Sequence, residues 1–154
     1  MRAGRRLGVD VGKARVGVAM SDPHGMLATP VETVPRDDNA IDAVLHHARD
    51  ADAIEIVVGL PIALGGGDTP STADARGFAL ALAKSGIPVR LVDERLSTVS
   101  AHSVMRTVGK NTKKSRSVID QAAAVIILQH ALDAEASNPA PPGTVVVPEE
   151  DQQQ

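Results

Sequence analysis

Three carboxylates stand out for where they fall. Asp10 closes the apolar run 7–11, Glu94 follows the apolar run 89–92, and Asp120 opens the most apolar helical stretch of the chain. Apolar strands and helix starts are costly places for charge unless something compensates it. A divalent cation would do so, because hard ions such as Mg²⁺ are held by a few carboxylates together with water and substrate phosphate. The chemistry this suggests is metal-assisted hydrolysis of a phosphodiester.

Each acid also has a plainer reading. Asp10 sits in the stretch VDVGKARVGVA, where a turn with an Asp10–Arg15 ion pair would account for it. Glu94 could be an ordinary strand-end acid, and its neighbour Asp93 is a substitute ligand. Ser117-Val118-Ile119-Asp120 has the spacing of a capping box, and an early acid complements a helix dipole. Context favours function. An acid inside an apolar strand is unusual, strand ends line the ligand crevice of open α/β sheets, and Ala122, Ala123 and Ala124 let the last helix approach a sheet closely.

The basic residues suit the same chemistry. Arg15 has a planar fork that matches phosphate. Arg106, Lys110, Lys113, Lys114 and Arg116 lie close together with no acid among them, as in a loop that contacts a phosphate backbone. The net charge of −3 does not oppose this, because Glu149, Glu150 and Asp151 near the C-terminus account for all of it. The chain has one Phe, no Trp and no Tyr, so base stacking can supply little affinity. Recognition through backbone and shape, with marked salt dependence, is expected.

The elements that must position these residues read as α/β. A strand over 5–11, a turn at Gly12 and Lys13, and an alternating strand over 14–21 form a hairpin. A third strand over 28–34 is bounded by Pro30 and Pro35, which suggests an edge. A helix over 39–51 leads to a continuous apolar strand over 54–59, the pattern of a buried parallel strand. A long loop, 60–69, contains Gly65, Gly66 and Gly67 but lacks the Gly-Lys-Ser/Thr ending of a nucleotide loop, so it reads as a lid. A helix follows over 70–85, with Ser71 and Asp74 at capping-box spacing. Next come a strand over 89–93, a helix over 97–107, the basic loop, and a last helix over 118–136. Helical crossovers make the first, fourth and fifth strands parallel neighbours. The five histidines show no metal-ligand grouping and read as surface or packing residues.

At 154 residues the prior is one domain with a real core, here residues 1–136. Residues 137–154, rich in proline and ending in a wholly polar stretch, read as a disordered acidic tail. The absence of Cys excludes disulfides, thiolate zinc sites and a cysteine nucleophile. No window approaches the roughly 18 apolar residues of a membrane span, and Asp10 interrupts any signal-peptide pattern. A soluble cytoplasmic protein without a membrane partner is expected.

Four segments, LGVDVGKARVGVAMSD, IVVGLPIALGGGDTPSTADARGFA, VRLVDERLSTVSA and IDQAAAVIILQHALD, together resemble the YqgF-like (RuvX-like) family. Its members are described as pre-16S rRNA nucleases and, earlier, as Holliday-junction resolvases. The resemblance spans about residues 5–135 and rests on four motifs in order. It implies an RNase H-like fold: a five-stranded mixed sheet, made of a three-strand antiparallel meander plus two parallel strands, flanked by helices. It also implies that Asp10, Glu94 and Asp120 are catalytic metal ligands for Mg²⁺ or Mn²⁺, with Lys13, Arg15 and Arg95 neutralising phosphate. The chain departs from related nucleases at the end of the fourth strand. They often carry an acid there, where this chain has Gly59-Leu60-Pro61, so Glu94 must reach across from the fifth strand.

Three readings of function follow. The first is a nuclease that matures the ends of 16S rRNA precursors. The second is a Holliday-junction resolvase acting on branched DNA, for which a homodimer rather than a monomer would match the symmetric junction. The third class holds a noncatalytic RNA-binding module and an actin-like ATPase, the latter requiring two such domains around its nucleotide.

Overall fold

The computed structural model describes residues 2–94, 115–138 and 140–147, with the side chains of 115–120 outside the description. The helix expected over 97–107 and the loop carrying Arg106, Lys110, Lys113 and Lys114 lie outside the described residues, as does Arg95.

Leu7, Val9, Val16 and Val18 are all fully buried, and their alternation with smaller residues builds the first hairpin. Its strands are β1, Arg6–Val11, and β2, Arg15–Ser21, with Asp10 opposite Gly17. The turn closes through the Gly12 amide, which donates to the Arg15 carbonyl at 2.9 Å. A Cβ on Gly12 would lie 2.6 Å from that same oxygen, so only glycine fits. Strand β3, Ala28–Pro35, is the sheet edge that Pro30 and Pro35 foretell. A register shift at Val18/Ala19 brings Pro30 opposite Ala19.

Helix α1, Ala40–Asp50, buries Ala40, Val44, Leu45 and Ala48 and returns the chain to β4, Glu55–Leu60. All six residues of β4 are buried. It lies parallel to β1, with Leu7 opposite Ile56, and to β5, Val89–Asp93, with Gly59 opposite Val92. Between β4 and β5 runs helix α2, Pro70–Ala83. Its cap is not the expected Ser71–Asp74 pair. Pro70 suits the first helical position and makes Thr69 the cap. Thr69 and Thr72 then close a reciprocal box at 3.2 and 2.9 Å. The Thr72 hydroxyl also donates to the Pro61 carbonyl, tying the glycine loop to the helix. Asp74 is used elsewhere.

Helix α3, Ser115–Ser137, starts three residues before the expected 118, which leaves Ser117 inside the helix rather than at its cap. It packs on the sheet face opposite α1 and α2. There Ala124, Ile127, Leu128, Ala131 and Leu132 meet Ala19, Ala28 and Val57. The other face carries the larger core, Leu7, Val9, Ile56 and Val58 against Val44, Phe78 and Leu82. The sheet has six strands in the order β3-β2-β1-β4-β5-β6, not the five expected. Its sixth strand, β6, Thr144–Val145, falls in the stretch read as tail and pairs antiparallel with β5. Among the described residues, no helix is long and apolar enough to cross a membrane.

Candidate active site

On β1, Leu7 and Val9 enter the larger core, so Gly8 and Asp10 face α3. A Cβ on Gly8 would lie 2.6 Å from the Leu128 Cβ and 2.9 Å from the Ala124 carbonyl oxygen, so the helix rides directly on bare backbone. Lower on the same strand, Arg6 meets Glu135 of α3 at 2.8 Å. The helix therefore runs antiparallel to β1.

Glu94 follows β5 directly, two strands from Asp10, with β4 between them. Neighbouring strands lie about 4.8 Å apart, so the two backbones are about 10 Å from each other. The side chains nonetheless meet, since Glu94 and Asp10 share a side-chain hydrogen bond. The way is open because β4 presents Gly59 there. The Cβ position of Gly59 lies 2.8 Å from Glu94 Oε1 and 2.8 Å from Glu94 Cγ. Of the pair left open by sequence, Glu94 is thus the one that reaches Asp10. Asp93 lines a small cavity of about 50 Å³ with Val92, Ile127, His130 and Pro142.

The electrostatics of Glu94 are those of an acid among acids. Its carboxyl is pushed up to about 8, first by burial, then by the Asp10 charge and the shared hydrogen bond, and last by Asp93. Two carboxyls this close share one proton unless a cation replaces it, which is the behaviour of a pair suited to a hard divalent ion. Among the described residues, no group of three or more His, Asp or Glu is gathered to hold a metal. The expected third acid, Asp120, lies within α3, but its side chain is outside the description, as is that of Arg116.

One contributor escapes sequence reading. Arg36, just beyond β3, donates to the Gly12 carbonyl at 2.9 Å and forks onto both Asp74 oxygens at 2.8 and 2.7 Å. Its guanidinium also lies 5.1 Å from the centre of the Phe78 ring. The residue braces the turn after Asp10 against α2, and its hydrogen bonds, with its charge, hold the Asp74 carboxyl below the ordinary range. No local pattern signals a partner 38 residues away. Lys13 is exposed on that turn and lines an open groove of about 420 Å³ with Arg36, Pro70, Ser71 and Asp74. Arg15 is half-buried at the start of β2.

A mixed sheet with α3 on one face and α1 and α2 on the other, bearing acids at the ends of β1 and β5, belongs to the RNase H-like class. The chain superposes on Thermus thermophilus RuvC solved in complex with a Holliday junction substrate, with a TM-score of 0.56 at 17% identity. That match covers 92% of this chain and 99% of the other. Within the class, the family model described as "RuvX: Holliday junction resolvase" matches residues 4–134, and the chain belongs to that family of nucleases. A protein of Leifsonia xyli subsp. xyli (strain CTCB07), named "Putative pre-16S rRNA nuclease", is 60% identical over 96% of this chain and 97% of its own length. A protein of the same name from Streptomyces coelicolor is 56% identical, covering 93% of this chain and 88% of that protein.

Proposed function

We propose that this chain is a divalent-metal-dependent nuclease that trims the ends of 16S rRNA precursors in the cytoplasm. The observation that carries the reading is the hydrogen-bonded meeting of Asp10 and Glu94 from strands two apart. Asp120 is the third ligand. The path of α3 supports this: from Ala124, which touches Gly8, one turn back along the helix is about 6 Å. Two residues on along β1 to Asp10 is about 7 Å. The two acids therefore rise together from one contact.

Asp10, Glu94 and Asp120 would hold Mg²⁺ or Mn²⁺, which when bound supplies an activated water and charge stabilisation for the departing oxygen. The side chains themselves form no covalent bond to substrate. Asp10 and Glu94 hold a proton between them in the absence of an ion and would both be carboxylates when holding one. Lys13, on the turn braced by Arg36, together with Arg15 and Arg95, neutralises phosphate charge. Arg106, Lys110, Lys113, Lys114 and Arg116 position the strand, so binding weakens steeply with salt.

The test is cleavage of matched substrates side by side: a labelled RNA spanning a 16S precursor end and a synthetic four-way DNA junction, each with Mn²⁺. Preferential cutting of the RNA supports the proposal. Preferential cutting of the junction would favour the second reading, which the likeness to RuvC motivates. Cleavage that survives Asp10→Asn would remove Asp10 from the site.

A further inference from the structure

We infer that Gly59 is a positioning residue of this site: its bare α-carbon, next to last in β4, lets the neighbouring strand, rather than β4 itself, supply the carboxylate opposite Asp10. The inference rests on the reading of Asp10 and Glu94 as metal ligands.

β4 lies between the two strands that carry the acids. On β4, Ile56 and Val58 enter the core under α1 and α2, so Val57 and Gly59 face α3, as Asp10 does. Any side chain at 59 would therefore rise between Asp10 and Glu94. A single methyl there would lie 2.5 Å from Ile127 Cδ1, 2.8 Å from Glu94 Cγ and 2.8 Å from Glu94 Oε1. Contacts so short force a neighbour to move. Ile127 is 2% exposed and packed among Val57, Ala124 and Leu128, so it has little room to retreat. Glu94 stands at the open ends of the strands, half-buried, and is the group that can swing. Alanine at 59 would thus turn the Glu94 carboxylate away from Asp10. A carboxylate grown from 59 itself would instead enter the space that Glu94 Oε1 now occupies. The site has room for one acid at this position and is indifferent to which strand donates it.

The experiment uses the full chain and reads two quantities: Mn²⁺ affinity by calorimetry, and the rate of cutting the labelled RNA. Gly59→Ala is expected to lower both by about 10–100-fold, the usual cost of disturbing a group that orients a metal ligand. Gly59→Ala combined with Ile127→Val removes the Cδ1 clash, so that only Glu94 is displaced. This pair should keep the thermal midpoint of Ile127→Val alone while the loss in Mn²⁺ affinity persists. The exchange variant, Gly59→Asp with Glu94→Ala and Ile127→Val, should bind Mn²⁺ at least about 10-fold more tightly than Glu94→Ala with Ile127→Val. Wild-type affinity in both folded Gly59→Ala variants would overturn the inference, as would an exchange variant no better than Glu94→Ala with Ile127→Val. The parent reading fails separately: wild-type Mn²⁺ affinity in Glu94→Gln would remove Glu94 from the metal site whatever happens at 59.

Discussion

Two groups of charge lie at opposite ends of the same parallel strands. At the N-terminal ends of β1, β4 and β5, Glu55 and Glu135 have side chains only 5% exposed and are gripped by arginines. Arg2 reaches both, at 3.0 and 2.7 Å, Arg6 reaches Glu135 at 2.8 Å, and Arg90 reaches Glu55 at 3.0 Å. At the C-terminal ends, Glu94 meets Asp10. The same residue type takes opposite character. The Arg2 guanidinium holds the Glu135 carboxyl down at about 2, whereas burial and Asp10 push the Glu94 carboxyl up to about 8. An acid completed by arginine is a clamp. An acid pressed against another acid is suited to a cation, and that difference separates architecture from chemistry in this molecule.

The sharpest way to separate the ends is to alter one acid at each. Asp10→Asn is expected to cut cleavage by about 10³-fold, several kcal/mol of lost transition-state stabilisation, without lowering the metal-free melting temperature. Glu135→Ala should do the reverse. It strands the buried Arg6 and costs about 3–5 kcal/mol in denaturant unfolding, while cleavage per folded molecule is retained. Equal effects of the two changes on stability would erase the distinction. Next in size, Glu94→Gln should raise the stability of the metal-free protein by about 0.5–2 kcal/mol while abolishing Mn²⁺ stabilisation, as expected where function is maintained against repulsion.

Acid titration gives the smallest and most specific contrast. The folded Glu135 carboxyl is held at about 2, below its ordinary 4.5. Its contribution is therefore complete above about pH 4.5 and is lost as pH falls toward 2. Wild-type stability should decline through that window more steeply than that of Glu135→Gln. Parallel declines would show that the arginine clamp is not what holds the proton off.

Much of this was legible in the chain. Alternation in 14–21 and the apolar run 54–59 gave β2 and β4, and Pro30 and Pro35 marked the edge. Asp10 stood out because an acid amid Leu7, Val9 and Val11 is unusual, even with Arg15 nearby as a plainer partner. The rest depended on distance along the chain. The α2 cap was misread because Ser71–Asp74 also has the right spacing, and Asp74 is claimed by Arg36 only in the fold. Strand β6 has two residues, too few for any period, and exists because Arg90 and Leu91 offer it an edge. That Glu94 must reach across from the fifth strand was legible at Gly59-Leu60-Pro61; the choice of Glu94 over Asp93 came only with the fold, where the Cβ position of Gly59 lies 2.8 Å from Glu94 Oε1.

The margins of the sheet carry a last consequence. One outer strand is interrupted by Pro30 and Pro35, and the other, Thr144–Val145, is two residues long. Proline offers no amide to an incoming ladder, and a two-residue strand offers almost none. Among the described residues, the margins of the sheet therefore offer an incoming strand little to pair with.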